Sequence, residues 1–433
     1  MAYMPDMKTV EAQSPRMHLH ALHCIEGDVA PMPASELEAA LVVWESDLER
    51  QACRWCALAI EGAHLRAYRP HGGKIAKVPL PWAQVRRLDR PANRGTPDLL
   101  VVLPPPVSLT CVRVAWLVTV DGGAAAVRHL LAMLSEVGAI RDDLGSDYAI
   151  KPCPLSCGRN SIVYSGRSCF LEEQGCFGEI VLKAFRAQDE LQSVKALTEM
   201  SLLRLSQGHP NVCRMHGIFW SPALSGSPVF GWTLALEHCT GGDIANHVAN
   251  FGKVTEDMAK EWMTGVLSAL VHIHARHIVH RGVKPENIFV AAAGRCVLGD
   301  FGSATLLDDA LGMQRRSGSP GYAAPELLRL EPYGTNVDCF GAGCVLYFVL
   351  SGRGPFWART MKAVLRRTYH ECAKFERLSA AKVSSLCQDV IKALLCKEPA
   401  ARISATAALR ATWFEGLRVG MPPGLEVYCQ AAA

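Results

Sequence analysis

At 433 residues the chain has room for two or three domains, and 49% hydrophobic with 20% charged residues suits folded globular units. A formal net charge of +4 is too small for this length to support general nucleic-acid binding. The 17 cysteines are scattered, which favours reduced, buried thiols in the cytoplasm over a zinc or disulfide framework. The first 20 residues, MAYMPDMKTVEAQSPRMHLH, carry early acids and no apolar core, so no secretory signal is expected. The apolar run FGAGCVLYFVL, Phe340 to Leu350, falls well short of the roughly 20 residues a bilayer span needs and reads as a buried helix. No fixed-period repeat is visible.

In chain order, residues 1–38 are polar and proline-spotted and read as a mobile tail. Residues 39–140 alternate short apolar stretches with turns. WCALAIEGAHLRAYR predicts two strands around a turn at Glu61-Gly62-Ala63-His64. KIAKVPLPWAQVRRL adds one or two strands, and DLLVVLPPPVSL and CVRVAWLVTV add more. Gly123 to Val137, GAAAVRHLLAMLSEV, reads as one amphipathic helix. Residues 141–154, RDDLGSDYAIKPCP, read as a polar linker. A second domain follows over 155–414, and 415–433 is a tail.

Antiparallel strands closed by one helix resemble a pleckstrin-homology domain over 39–140. The resemblance lies in the order of elements; the closing helix lacks the tryptophan usual in that family. It implies recruitment to a phosphoinositide membrane or to a protein partner. Arg50 and Arg54 lie near the first turn, and Arg86, Arg87 and Arg90 form a second basic group; both also read as ordinary solvated faces.

The second domain carries its chemistry in IVHRGVKPENIFV, Ile278 to Val290, which resembles the protein-kinase catalytic loop H-R-D-x-x-x-x-N. His280, Arg281, Lys284 and Asn287 match, and Gly282 stands where the acid that accepts the substrate hydroxyl's proton belongs. Further motifs fall in family order. LSCGRNSIVY resembles the glycine-rich loop, with Ser156 and Ser161 replacing glycines, Gly158 kept, and Val163 over the adenine. Lys183 in EIVLKAF resembles the phosphate-pairing lysine and Glu199 its helical partner, ahead of HPNV at His209 to Val212. TLALEHCTGGDI resembles the hinge, with Leu236 as gatekeeper, Glu237 and Cys239 offering backbone groups to adenine, and Asp243 facing the ribose. Asp300 of DFG and Asn287 resemble the magnesium ligands. Glu326 and Arg402 resemble a buried ion pair, and Asp338 the acid that receives catalytic-loop amides.

The resemblance implies an α+β, bilobal protein-kinase fold that takes ATP and Mg2+. Lys284, with the segment Gly318 to Tyr322, points to the serine/threonine class. Without a carboxylate at 282, the expected protein binds ATP but is catalytically impaired, acting as a switch or scaffold. The alternatives are an active kinase with an atypical loop, and an adaptor recruited through the first domain. The expected partners are a protein substrate or scaffolded protein, with no nucleic acid. Ser317, after Arg315 and Arg316, is a candidate phosphosite whose phosphate would pair with Arg281.

Overall fold

The structure is a computed structural model. It describes residues 39–43, 57–61, 64–68, 74–80, 82–88, 98–103, 116–120, 131, 134–135, 138–141, 144–169, 178–186, 190–221 and 231–415. The tails over 1–38 and 416–433, together with Arg50, Arg54 and Arg90, lie outside them. So does Cys53-Arg54-Trp55-Cys56, a C-x-x-C pair that the scattered-thiol reading passes over. Contacts group the chain into two units, Met1–Asp143 and Leu144–Ala433.

In the first unit, β2 (Ala57–Glu61) pairs antiparallel with β3 (His64–Tyr68), which pairs with β4 (Lys74–Pro79). The Glu61–His64 pairing closes the predicted hairpin with two residues between the strands. The remaining strands are β1 (Ala39–Val43), β5 (Gln84–Leu88), β6 (Asp98–Leu103), β7 (Trp116–Val120) and β8 (Ile140–Arg141). They line up in the order β1-β7-β6-β5-β8, with only β5–β8 parallel. Leu131, Leu134 and Ser135 are helical; the rest of the predicted 123–137 helix is outside the described residues.

The second unit begins earlier than the sequence pattern indicates. Where a linker is predicted, α1 (Leu144–Asp147) leads into β9 (Tyr148–Cys157). Leu144 and Tyr148 join a core with Tyr164, Ile180, Leu182 and Phe219. The linker expectation fails because β9 is an exposed edge strand: its other face meets water, so it holds polar residues and two prolines, Pro152 and Pro154. The small lobe continues through β10 (Ser161–Ser168), β11 (Glu179–Phe185), α2 (Glu190–Leu205), β12 (Met215–Ser221) and β13 (Gly231–Glu237). Its sheet order is β12-β13-β11-β10-β9, all pairs antiparallel where registered.

The large lobe is helical. Helix α3 (Ile244–Phe251) starts at Asp243, whose carboxylate accepts from the Asn246 amide. Helix α4 (Glu256–His274) starts at Thr255, has Glu256 and Asp257 in its first turn and His272 and His274 in its last, and buries Trp262, Met263, Val266, Leu267, Leu270 and Ile273. Two small ribbons follow, β14 (Ile278–Val279) with β17 (Thr305–Leu306), and β15 (Ile288–Val290) with β16 (Cys296–Leu298). Helix α7 (Asn336–Ser351) contains the apolar run and is buried nearly throughout; between the ribbons and it lie α5 (Ala310–Met313) and α6 (Pro325–Arg329). Among the described residues no helix is long and apolar enough to cross a membrane.

Candidate active site

The small-lobe sheet and α2 bring the first charges together. Register places Val163 of β10 opposite Lys183 of β11, and Lys183 opposite Leu234 of β13. The Lys183 ammonium lies 2.5 Å from Glu199 Oε1 on α2 and 2.8 Å from Asp300 Oδ1. Burial opposes the lysine's charge, but the two carboxylates outweigh it and hold its pKa above the ordinary value. Burial raises Glu199, and Lys183 offsets only part of this. Asp300 goes the other way: burial would raise it, but the lysine's charge holds it below the usual aspartate value. Gly302 permits this convergence, since a Cβ there would sit 2.9 Å from Glu199 Oε2. Asp300 itself is left-handed, φ 55°, an uncommon conformation for a residue with a side chain.

The catalytic loop hangs from Asp338 on α7. This buried carboxylate accepts from the amides of His280 (2.9 Å) and Arg281 (2.7 Å), and His274 Nε2 meets it at 2.9 Å. His280 is fully buried, edge-on to Phe301 at 4.8 Å, and burial lowers its pKa, which disfavours the charged ring. Asn287 donates from Nδ2 to the Gly282 carbonyl at 2.9 Å; its Oδ1 meets no donor among the described residues. Deeper in the lobe, Arg402 and Glu326 form a bidentate pair at 2.6 and 3.1 Å, both side chains buried.

Arg281 is engaged more fully than the sequence suggests. Its guanidinium donates to the carbonyls of Ser303, Gly312 and Ala304 and to the Tyr333 hydroxyl. Four of its five N–H donors are thus committed to neutral acceptors. The expected pairing with a phosphate on Ser317 would have to displace them.

The hinge follows β13. Leu236, Cys239 and Phe289 pack on a small core of Cys213, Ala291 and Val297, giving an apolar wall. The Cys239 carbonyl accepts from the Gly242 amide, while its own amide meets no acceptor among the described residues. Glu237 is held by Arg295 at 2.7 Å and by the Arg214 amide. Asp243 accepts from both nitrogens of Asn246, so it acts as a helix cap. Ser156 and Gly158 lie in the β9–β10 hairpin: Ser156 pairs with Val163, and the Gly158 amide donates to the Ser161 carbonyl. Sequence reasoning missed Phe289, Tyr333 and His274. Phe289 had a signal: Ile288 and Val290 face the core, so period-two alternation turns Phe289 to the other side.

Gly282 contributes no side chain, and its recess is lined by Val283, Lys284, Ser319 and Tyr322 among others. Glu286 is exposed and outside that lining.

A family model described as protein kinase domain matches residues 158–414, well over half the chain. The chain belongs to the protein kinase family. It is 30% identical over 285 residues to calcium/calmodulin-dependent protein kinase type IV of Mus musculus, covering 64% of this chain and 57% of that protein. It is 30% identical over 258 residues to calcium/calmodulin-dependent protein kinase type 1B of Homo sapiens, 56% of this chain and 73% of that one. It is 35% identical over 184 residues to a probable serine/threonine-protein kinase 2 of Plasmodium falciparum, covering 42% and 36%. Against several of its curated relatives the chain spans about half their length.

Kinases of this family use ATP and Mg2+ on protein substrates. The residues present suit both. Lys183 offers a protonated amine, Cys239 an unpartnered amide beside an apolar wall, and Asp300 with the Asn287 Oδ1 a carboxylate-plus-amide oxygen set of the kind magnesium takes when phosphate completes its shell.

Proposed function

We propose that the chain is a serine/threonine protein-kinase-like protein that holds ATP and Mg2+ but transfers phosphate poorly, working in signalling as a switch or scaffold. The observation that supports this is a contrast: Lys183 meets both Glu199 and Asp300 within 2.8 Å, while Gly282, ahead of Asn287, bears no group that can take a proton.

In this reading Lys183 pairs with the phosphates, Glu199 fixes the lysine, Asp300 and Asn287 hold the metal, and Lys284 steadies the transferred group. Val163, Leu236 and Phe289 enclose adenine, the Glu237 and Cys239 backbone meets its edge, and Asp243 meets the ribose. Mg2+ would neutralise charge developing on the phosphates. General-base assistance contributes about 10²–10⁴-fold where it is present, and glycine supplies none.

Thermal unfolding tests the binding half. ATP with Mg2+ at about 100 times Kd should add about 2.7 kcal/mol of stability, and Lys183→Met should remove most of it. No nucleotide-dependent shift at millimolar ATP and Mg2+ would end the reading.

The first unit supports a second role, as a recruiting module at a cytoplasmic membrane surface or on a protein. The antiparallel β2-β3-β4 sheet, the antiparallel run β1-β7-β6-β5 and the helical residues Leu131, Leu134 and Ser135 support this reading, which rests on the resemblance to a pleckstrin-homology domain. Flotation with phosphoinositide vesicles tests it; absence of binding leaves the protein-partner form.

A further inference from the structure

The loop that lacks an acid at position 282 also carries a cation without a partner. Lys284 makes no ion pair or hydrogen bond from its side chain among the described residues, and it lines the recess beside Gly282. The recess is shallow and open to solvent. Ser319 and Tyr322 stand on its other wall. The Ser319 carbonyl is occupied by the amides of Tyr322 and Ala323, but neither its hydroxyl nor the Tyr322 phenol has a partner among the described residues. Burial, helped by the nearby Glu286 charge, raises the Tyr322 pKa, so the phenol keeps its proton and can donate.

No carboxylate lines this recess. Asp338 lies behind the loop and is taken by two amides and His274. Arg281 contributes a second positive charge whose donors meet only neutral acceptors. Two cations and two free hydroxyl donors, with no carboxylate in the lining and Glu286 near Tyr322 but outside it, make a site complementary to a carboxylate.

We propose that the recess at Gly282 is a subsite for a carboxylate side chain of the acceptor protein, an Asp or Glu close to the Ser or Thr that receives phosphate. This rests on the reading that ATP occupies the cleft. The entering carboxylate takes the place of the missing base. The acceptor hydroxyl gives its proton to that carboxylate as its oxygen bonds to the γ-phosphorus. The bond from that phosphorus to the bridging oxygen breaks, and ADP leaves with the electron pair. The substrate class is therefore acidic: phosphate transfer is retained for acceptors that carry their own base and is poor for the rest.

The test uses the full chain and two labelled peptides that differ only in Asp and Glu against Asn and Gln around one serine. Fluorescence anisotropy without nucleotide should show the acidic peptide binding about tenfold tighter. Lys284→Ala should erase that preference, and so should Gly282→Asp, which puts a fixed carboxylate beside the recess. The atoms nearest a Cβ at Gly282 are the Asn287 amide nitrogen at 3.3 Å and the His280 ring at 3.4 and 3.5 Å, so a small shift of Asn287 makes room for the Cβ. With ATP and Mg2+, radiolabel should pass to the acidic peptide, and sodium formate, but not sodium chloride, should raise transfer to the amide peptide about tenfold. Equal binding of the two peptides, or a preference that survives both substitutions, overturns the subsite. Binding preference with no transfer and no formate effect overturns the proton-accepting role. Loss of the ATP-dependent thermal shift instead overturns the nucleotide reading, which the anisotropy measurement does not need.

Discussion

Two places around the catalytic loop are built to different standards. At one, Lys183 lies between Glu199 and Asp300, and the loop itself is pinned by Asp338. On the acceptor end Gly282 contributes nothing, and Lys284 faces a recess without an acid. The supports are shared, since Asp338 fixes the amide of Arg281, the residue immediately before Gly282. A fold of this kind can thus keep its frame and its Lys183 cluster while its acceptor side changes, because the frame depends on backbone amides and buried pairs and not on the base.

The largest effect should come from restoring the missing group. With an acceptor free of acidic residues, Gly282→Asp should raise phosphate transfer by about 10²–10⁴-fold. The ATP-dependent thermal shift should stay as it is. An Asp variant that binds ATP but gains nothing would mean the acceptor side lacks more than a carboxylate, and the contrast between the two ends would run deeper than one residue.

Next comes the frame. Glu326→Ala leaves the Arg402 guanidinium, wholly buried, without its anion. Breaking such a pair costs about 3–5 kcal/mol, to be read as a drop in the urea midpoint. The same loss is expected in the wild-type and Gly282→Asp backgrounds, because the pair is remote from the base position in its bonding. A loss that depends on residue 282 would show that frame and acceptor side are coupled.

Much of the nucleotide end is legible in the sequence, because Lys183, Glu199, Asn287 and Asp300 are polar residues at fixed positions within recognisable strings. What brings them together is not: the separation of 117 positions from Lys183 to Asp300 closes only through sheet register and the left-handed turn at Asp300. Tyr333 has no local pattern marking it as the acceptor for Arg281, 52 residues away. His274, at the end of α4, reads as a solvent-facing helix terminus until α7 brings Asp338 to it. β9 is hidden for the opposite reason, since an edge strand with prolines and an exposed face looks like connecting chain.

A pH dependence offers a smaller test of the shared frame. Burial holds His209 and His272 down to about 4, against an ordinary 6.5. Between those values the unfolded chain binds more protons than the folded one, so stability falls as pH is lowered from about 6.5 to about 4 and levels off below. His216 and His280 are lowered too and act in the same sense. Unfolding midpoints taken across that window should give the same slope for wild type and Gly282→Asp, and a shallower one for His209→Gln with His272→Gln. A flat wild-type profile would show these rings are protonated in the folded state.

The smallest effect concerns how the activation segment is held. Arg281 binds the Ser303, Ala304 and Gly312 carbonyls and the Tyr333 hydroxyl, so the segment after Asp300 is tied to the catalytic loop without any phosphate. A negative charge at Ser317 must compete with bonds that already exist, and Ser317→Glu should change stability by less than about 0.5 kcal/mol. Tyr333→Phe removes one hydrogen bond, which costs about 0.5–1.5 kcal/mol, and it frees one guanidinium donor. In that background Ser317→Glu should recover part of the loss, so the two substitutions combine non-additively. Strict additivity would place residue 317 beyond Arg281's reach. A large stabilisation by Ser317→Glu alone would instead make the neutral clamp the weaker of two states and restore phosphate as the switch.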